Sequence, residues 1–295
     1  MSASILRVPS ELQLRCDEHR ARGLTLGLVP TMGALHEGHL ALVKEAREHA
    51  SLVVVTIFVN PTQFGPNEDF QKYPRDTAGD IRKCEQAGAG LIFTPDVADM
   101  YPKGDATRVQ VHGLTEYLCG PLRPGHFEGV ATIVTKLFAL VGRSVAVFGR
   151  KDYQQVKVIE RLVADLMLPV KIVTHPTVRE TDGLALSSRN AYLSADERER
   201  ARVIPQALSH AIQQHGAGLR SASALRENVQ ALLTKAGLRV DYVSVADPET
   251  LVPVSENADV PDTALLAVAA FCGKTRLIDN VVLGRDAPPV AGGSV

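Results

Sequence analysis

The segment SLVVVTIFVN, residues 51–60, is continuously apolar and rich in β-branched side chains, the composition of a strand covered on both faces. Before it, residues 39–50 set Leu40, Leu42, Val43 and Ala46 at near-helical spacing, and LTLGLV at 24–29 reads as an earlier strand that ends at Pro30. A helix over 76–87 that stops near Gly88 and Gly90, followed by LIFTP as a strand, repeats the alternation. Farther along come a helix over 128–141, a strand VAVFG at 145–149, a helix over 153–166 and a strand VKIVTHP. Such alternation dictates a parallel sheet with helices on both faces, a doubly wound α/β domain. Ligands on these sheets bind beyond the carboxyl ends of the strands, and the unusual residues of this chain fall there, after Val29, Val59 and Phe148.

A chain of 295 residues has room for two domains with their own cores. Texture changes beyond TDGLALSSRN: SADERERARVIPQAL opens with Ser194 and Glu197 spaced as a capping box and continues as a charged amphipathic helix, and VDYVSVAD and ALLAVAAF supply short strands. The expected division is 1–184 for the α/β domain, 185–285 for a smaller C-terminal α+β domain, and 286–295 for a flexible tail.

Lys and Arg total 32 against 33 Asp and Glu, so no basic field advertises nucleic acid. Apolar runs such as LVVV at 52–55 fall far short of the roughly 20 residues that span a bilayer. The N-terminal segment lacks a cationic start followed by an apolar block, so a cytoplasmic protein is expected. Cys16, Cys84, Cys119 and Cys272 contain no Cys-x-x-Cys pair and read as reduced, small core residues.

Four stretches carry chemistry. In VPTMGALHEGH, His36 and His39 are three apart, where a zincin needs histidines four apart flanking a glutamate, and no third ligand is evident. Gly33 and Gly38 allow close backbone approach, a helix starting near Gly38 offers amides and a positive dipole end, and imidazoles there suit charge on phosphate oxygens. The alternative is a pair of surface histidines. FGRKDYQQ at 148–155 brings Lys151 and Asp152 off a strand end, a point charge for phosphate and a carboxylate for ribose or a metal ion, or else a solvated ion pair. LALSSRN at 184–190 puts Ser187, Ser188 and Arg189 on one loop, either a phosphate clasp or a polar linker. FVNPTQF carries Asn60 and Gln63, neutral amides suited to a small polar substrate, as is Gln155; the alternative for either glutamine is an exposed surface side chain.

Together VPTMGALHEGH, FVNPTQF, FGRKDYQQ and DGLALSSRN, in that order and spacing, resemble the pantothenate synthetase family, a member of the wider group of HIGH-type nucleotidyltransferases. PLRPGHFEGVATIVTKL at 121–137 and TRLIDN at 275–280 extend the likeness over most of the chain. The resemblance implies a Rossmann-like N-terminal domain that binds nucleotide and pantoate, and a C-terminal lid. It implies condensation of (R)-pantoate with β-alanine through a pantoyl adenylate, with ATP cleaved to AMP and pyrophosphate and Mg2+ accompanying the ATP rather than held by protein side chains alone. A homodimer joined through the N-terminal domains is also implied.

Carried over by motif, His36, His39, Lys151 and Arg189 would stabilise charge on the leaving pyrophosphate, with His39 at the position of the proton donor. Met32, Gly33, Ala34, Leu35, His36, Glu37, Gly38 and His39 would line the ATP site with Gly149, Arg150, Lys151, Asp152, Val178, Leu186, Ser187, Ser188 and Arg189. Gln63 and Gln155 would hold pantoate, and Gln63 also β-alanine. The family usually has glutamate where Arg150 stands; in an extended chain end Arg150 and Lys151 point to opposite sides, which would send Arg150 to solvent.

Within the enzyme class a nucleotidyltransferase making a dinucleotide-like product shares the histidines and the Ser-Ser-Arg loop but has no need of the two glutamines. A tRNA-charging enzyme is disfavoured by the near-neutral charge. A nucleotide-binding regulator without turnover is the reading from another class, and only Arg150 favours it.

Overall fold

The computed structural model describes residues 3–66 and 68–290, so the last five residues of the expected tail lie outside the described residues. The chain forms two compact units: Met1–His112, Arg123–Arg150 and Gln155–Pro176 make one, and Gly113–Leu122, Lys151–Gln154 and Thr177–Val295 the other.

The first unit runs β1 (Ser4–Leu6), α1 (Pro9–Ala21), β2 (Leu26–Thr31), α2 (Glu37–His49), β3 (Leu52–Ile57), α3 (Thr77–Ala87), β4 (Leu91–Phe93), α4 (Val97–Met100), α5 (His126–Val141), β5 (Ser144–Gly149), α6 (Tyr153–Asp165) from Gln155 onward, and β6 (Val170–His175). Its six strands are ordered β1-β4-β3-β2-β5-β6 and every pairing is parallel. Alternate strand residues serve two cores. Leu26, Leu28 and Val54 pack with Leu12 and Cys16 of α1, Phe138 of α5 and Ile159 of α6, while Val29, Val53 and Val55 pack with Val43 and Ala46 of α2 and Cys84 of α3. Because the chain moves outward through β3 and β4 and returns to add β5 on the other side of β2, the topological switch point lies between β2 and β5. Ligands of doubly wound sheets bind at the carboxyl ends there.

Pro30 does not end its strand. β2 continues to Thr31, because its pairing with β5 stops at Leu28 opposite Ala146 and Pro30 owes no N–H on that side.

The second unit holds α7 (Ala195–Ala201), α8 (Val203–Gly216), α9 (Ala222–Lys235), β7 (Arg239–Ala246), β8 (Ala264–Cys272) and β9 (Thr275–Leu283). The strands form an antiparallel sheet, β7-β8-β9, over a core that includes Ile204, Leu208, Leu225, Leu233, Leu266 and Val281. The single helix expected from SADERERARVIPQAL is two helices, broken at Arg202. Pro205 has no N–H for the carbonyl of Ala201, so it fits only in the first turn of a new helix. The capping box is present: Glu197 N donates to Ser194 Oγ at 3.2 Å and Ser194 N to Glu197 Oε2 at 2.9 Å.

Candidate active site

Past the end of β2 the chain turns through Gly33 and Ala34, both at positive φ, 82° and 50°. Asp80 makes this turn possible. Its carboxylate, on a residue 1% exposed, accepts Ala34 N–H at Oδ2 and Leu35 N–H at Oδ1, both at 2.8 Å. One helical turn on, Lys83 Nζ donates to Leu35 O at 2.7 Å. A Cβ on Gly33 would meet Asp80 Oδ2 at 3.0 Å, so the clasp and the glycine are matched.

The loop delivers His36 as the N-cap of α2. Gly38 N donates to His36 Nδ1 at 3.2 Å, and His36 N donates to His39 Nδ1 at 3.4 Å. The helix therefore starts two residues earlier than its apolar periodicity suggests, and the Gly38 amide expected to be open for phosphate is taken by an imidazole. With both Nδ1 atoms accepting, the neutral rings carry their protons on Nε2. The site gains a pair of half-buried ring donors at the positive end of a helix.

Gln63 joins this loop: its Nε2 donates to Met32 Sδ at 3.0 Å. Its Oε1 accepts from Asn60 Nδ2 at 3.0 Å. Asn60 is 1% exposed and also bonds Gly129 O, Thr62 and the Tyr101 hydroxyl, so it is a scaffold for Gln63, not a second amide for substrate. The Gln63 carbonyl lies 2.8 Å from His126 Nδ1, and Arg123 Nη1 lies 2.8 Å from His126 Nε2. An arginine can only donate, so His126 accepts at Nε2 and donates from Nδ1. Glu68 completes the row on Arg123; burial raises its carboxyl but is outweighed by the Arg123 guanidinium, which leaves it below the ordinary value. Gln155 is half-buried on α6, whereas its neighbour Gln154 is buried and spends its amide on Cys119 N, Leu114 O and Tyr117 O.

Beyond Gly149, Arg150–Asp152 form a 3-10 turn, not an extended end. Three residues per turn separate neighbouring side chains by about 120°, and Arg150 is half-buried rather than directed to solvent. Lys151 Nζ stands 3.8 Å from Asp152 Oδ2, and the Lys151 carbonyl accepts from Asn280 Nδ2 at 2.8 Å.

In the second unit Val178 and Leu186 are brought together: Leu186 N donates to Val178 O at 3.0 Å, beside a bridge between Arg179 and Ala185. Ser187 caps the 3-10 turn Ser188–Tyr192 by accepting Arg189 N–H at 3.3 Å. Asn190 pins that turn to Glu180 Oε1 at 2.8 Å and to Ala185 O at 3.1 Å. Arg198 grips Glu180 and Asp182 together. Its hydrogen bond holds the Glu180 carboxyl below the ordinary value despite burial; for Asp182 burial acts upward and is outweighed by Arg198 and the Leu184 N–H.

Asp80, Lys83, His126 and Arg198 escape sequence reading, since each looks like an ordinary polar residue in its own segment. The described residues contain no group of three or more His, Cys, Asp or Glu that could hold a metal ion. Nor is any of their helices long and apolar enough to cross a membrane.

The family described as pantoate-beta-alanine ligase matches residues 4–282. The chain belongs to that family. A pantothenate synthetase of Moorella thermoacetica is 52% identical over 265 residues, 90% of this chain and 93% of the relative, and one of Myxococcus xanthus is 51% identical over 287 residues, 97% and 98%. The crystal structure of pantothenate synthetase from Thermus thermophilus superposes with a TM-score of 0.89 at 46% identity, covering 94% of this chain and 98% of that one. The pantoate-beta-alanine ligase of Francisella tularensis, complexed with beta-gamma ATP and beta-alanine, has a TM-score of 0.79 at 32% identity over 97% of this chain and 99% of that one.

Proposed function

We propose that this chain condenses (R)-pantoate with β-alanine at the expense of ATP, as its family membership indicates, through a pantoyl adenylate. A pantoate carboxylate oxygen attacks the α-phosphorus, the bond to the β-phosphate breaks, and pyrophosphate leaves. The amine of β-alanine then attacks the acyl carbon, the acyl–oxygen bond breaks, AMP leaves, and the ammonium proton passes to water. The observation that carries this reading is the His36–His39 cap at the switch point, which holds two Nε2–H donors at a helix start. Such donors stabilise charge moving onto pyrophosphate.

In this reading His36, His39, Lys151 and Arg189 act on the departing phosphates, with His39 as proton donor. Met32–His39, Gly149–Asp152, Val178 and Leu186–Arg189 bind ATP; Gln63 and Gln155 hold pantoate, and Gln63 also meets β-alanine. Magnesium enters on the phosphates, since it keeps water and phosphate oxygens and asks for only one or two carboxylates; Asp152, with its side chain 48% exposed, is the carboxylate of that turn. Four buried free thiols support work in the reducing cytoplasm. A homodimer formed through the first unit belongs to the same proposal.

Phosphorus NMR and mass spectrometry of a mixture of the protein, MgATP, pantoate and β-alanine test the reading. AMP, pyrophosphate and pantothenate are expected. ADP would mean an acyl phosphate and overturn the role of the histidines; unchanged ATP would overturn the activity.

A further inference from the structure

The motif TRLIDN has no part in the chemistry above, yet it puts two buried polar residues in succession on β9: Asp279, 2% exposed, and Asn280, 7% exposed. Successive strand residues face opposite sides of a sheet. Asp279 shares its face with Leu277 and Val281, both in the apolar core, where an unpaired carboxylate would be costly. Arg179 pairs with it in a two-pronged contact, Nη1 to Oδ2 at 2.6 Å and Nη2 to Oδ1 at 3.0 Å, and also donates to Gly183 O at 3.0 Å. Arg179 follows Val178 and bridges Ala185, so this ion pair fixes the base of the hairpin whose return leg continues into Leu186–Arg189. Asn280 donates its amide N–H to the Lys151 carbonyl at 2.8 Å.

We infer that Asp279 and Asn280 are positioning residues that fix the chain at Lys151 and the base of the Arg189 loop to one strand, so that both cations keep a set placement for the phosphates. The inference rests on the proposed role of Lys151 and Arg189. Replacing a buried ion pair by apolar residues of similar volume is often neutral or stabilising, so the Arg179–Asp279 pair carries no presumption of added stability. An arginine fork specifies geometry where an apolar contact does not. Asn280 likewise commits a buried amide to a main-chain carbonyl 129 residues away.

The test measures two half-reactions separately: ATP–pyrophosphate exchange for adenylate formation, and single-turnover aminolysis of preformed pantoyl adenylate by β-alanine. Asn280→Ala and the isosteric Asn280→Asp, which loses the donor with little change in volume, are expected to slow exchange at least about tenfold and to leave aminolysis within about twofold. Added to Lys151→Ala, Asn280→Ala is expected to slow exchange less than about twofold further, because it acts through Lys151. The Arg179→Gln/Asp279→Asn double variant, a neutral amide pair, is expected to show the same split between half-reactions. Equal loss in both half-reactions, or an undiminished loss on the Lys151→Ala background, would mean a general structural role and overturn the inference. Parental exchange in both Asn280 variants while Lys151→Ala is crippled would overturn the inference alone. Parental exchange in Lys151→Ala would overturn the functional reading beneath it.

Discussion

The rings of His36 and His39 lie 4.2 Å apart between centroids, tilted by 41°, and each gives its Nδ1 to a backbone N–H at the start of α2. One pair of side chains therefore caps the helix and sets the direction of the two Nε2–H bonds.

Structure and chemistry are separable at His39. His39→Asn carries an oxygen near the place of Nδ1 and is expected to recover the cap, whose loss in His39→Ala costs about 1 kcal/mol. It leaves nothing at Nε2, so adenylate formation stays at least about 100-fold below the parent. Urea unfolding together with a pyrophosphate-release assay reads both quantities; a His39→Asn variant with near-parental turnover would remove His39 from the chemistry.

Asp80 holds two amides with two oxygens. Asp80→Asn keeps one acceptor and turns an NH2 toward the other N–H, and leaving a buried donor unsatisfied costs about 1–3 kcal/mol. The expected result is a lower unfolding midpoint and a rise of at least about fivefold in the KM for ATP, with the KM for β-alanine within about twofold. Steady-state kinetics on the folded fraction decides it.

Gly129 sits in α5 where alanine would raise helix propensity by about 1 kcal/mol. Its Cβ would, however, lie 2.5 Å from Thr62 O and 2.7 Å from Gln63 Cα, both backbone. Overpacking of that kind costs about 1–3 kcal/mol and displaces the turn that carries Gln63. Gly129→Ala is expected to be less stable than the parent and to raise the KM for pantoate several times more than that for ATP. A more stable variant with parental KM values would show that the turn yields freely.

The Arg198 cluster predicts a pH dependence. Glu180 and Asp182 titrate below their ordinary values of 4.5 and 3.8 in the folded chain. Stabilisation from depressed carboxylates is complete above the unfolded values and is lost as pH falls through the folded ones. Arg198→Gln is therefore expected to lower stability at pH 7 and to reduce the loss of stability between about pH 5 and pH 3, read by urea midpoints across that range. Parallel curves for parent and variant would remove the cluster from acid sensitivity.

The first unit was largely legible because Val53, Val54 and Val55 are covered on both faces, so burial and β-branching coincide in the sequence. β9 was not read as a strand, since TRLIDNVVL mixes Arg, Asp and Asn into it; Asp279 and Asn280 are buried, and Asp279 is paired by Arg179, 100 positions away, which no local pattern reveals. Asp80 is hidden for a related reason: an acidic residue in the first turn of an amphipathic helix suits the helix dipole and looks complete without the loop it clasps. The residue types of the candidate site were readable from four motifs, but not which amides were already committed. Asn60 and Gln63 look equivalent in NPTQ, and only the contacts to Gly129 and Tyr101 separate scaffold from candidate ligand.

The bond from Asn280 to the Lys151 carbonyl closes a loop of well over a hundred residues, and β9 reaches its place only by pairing along β8. During synthesis at about 5–20 residues per second, the segment around Lys151 leaves the ribosome several seconds before the strand that steadies it. The parallel sheet is fully translated before β9 is, but a nascent chain at that stage still lacks the Asn280 bond to the Lys151 carbonyl, which forms only once the late hairpin folds.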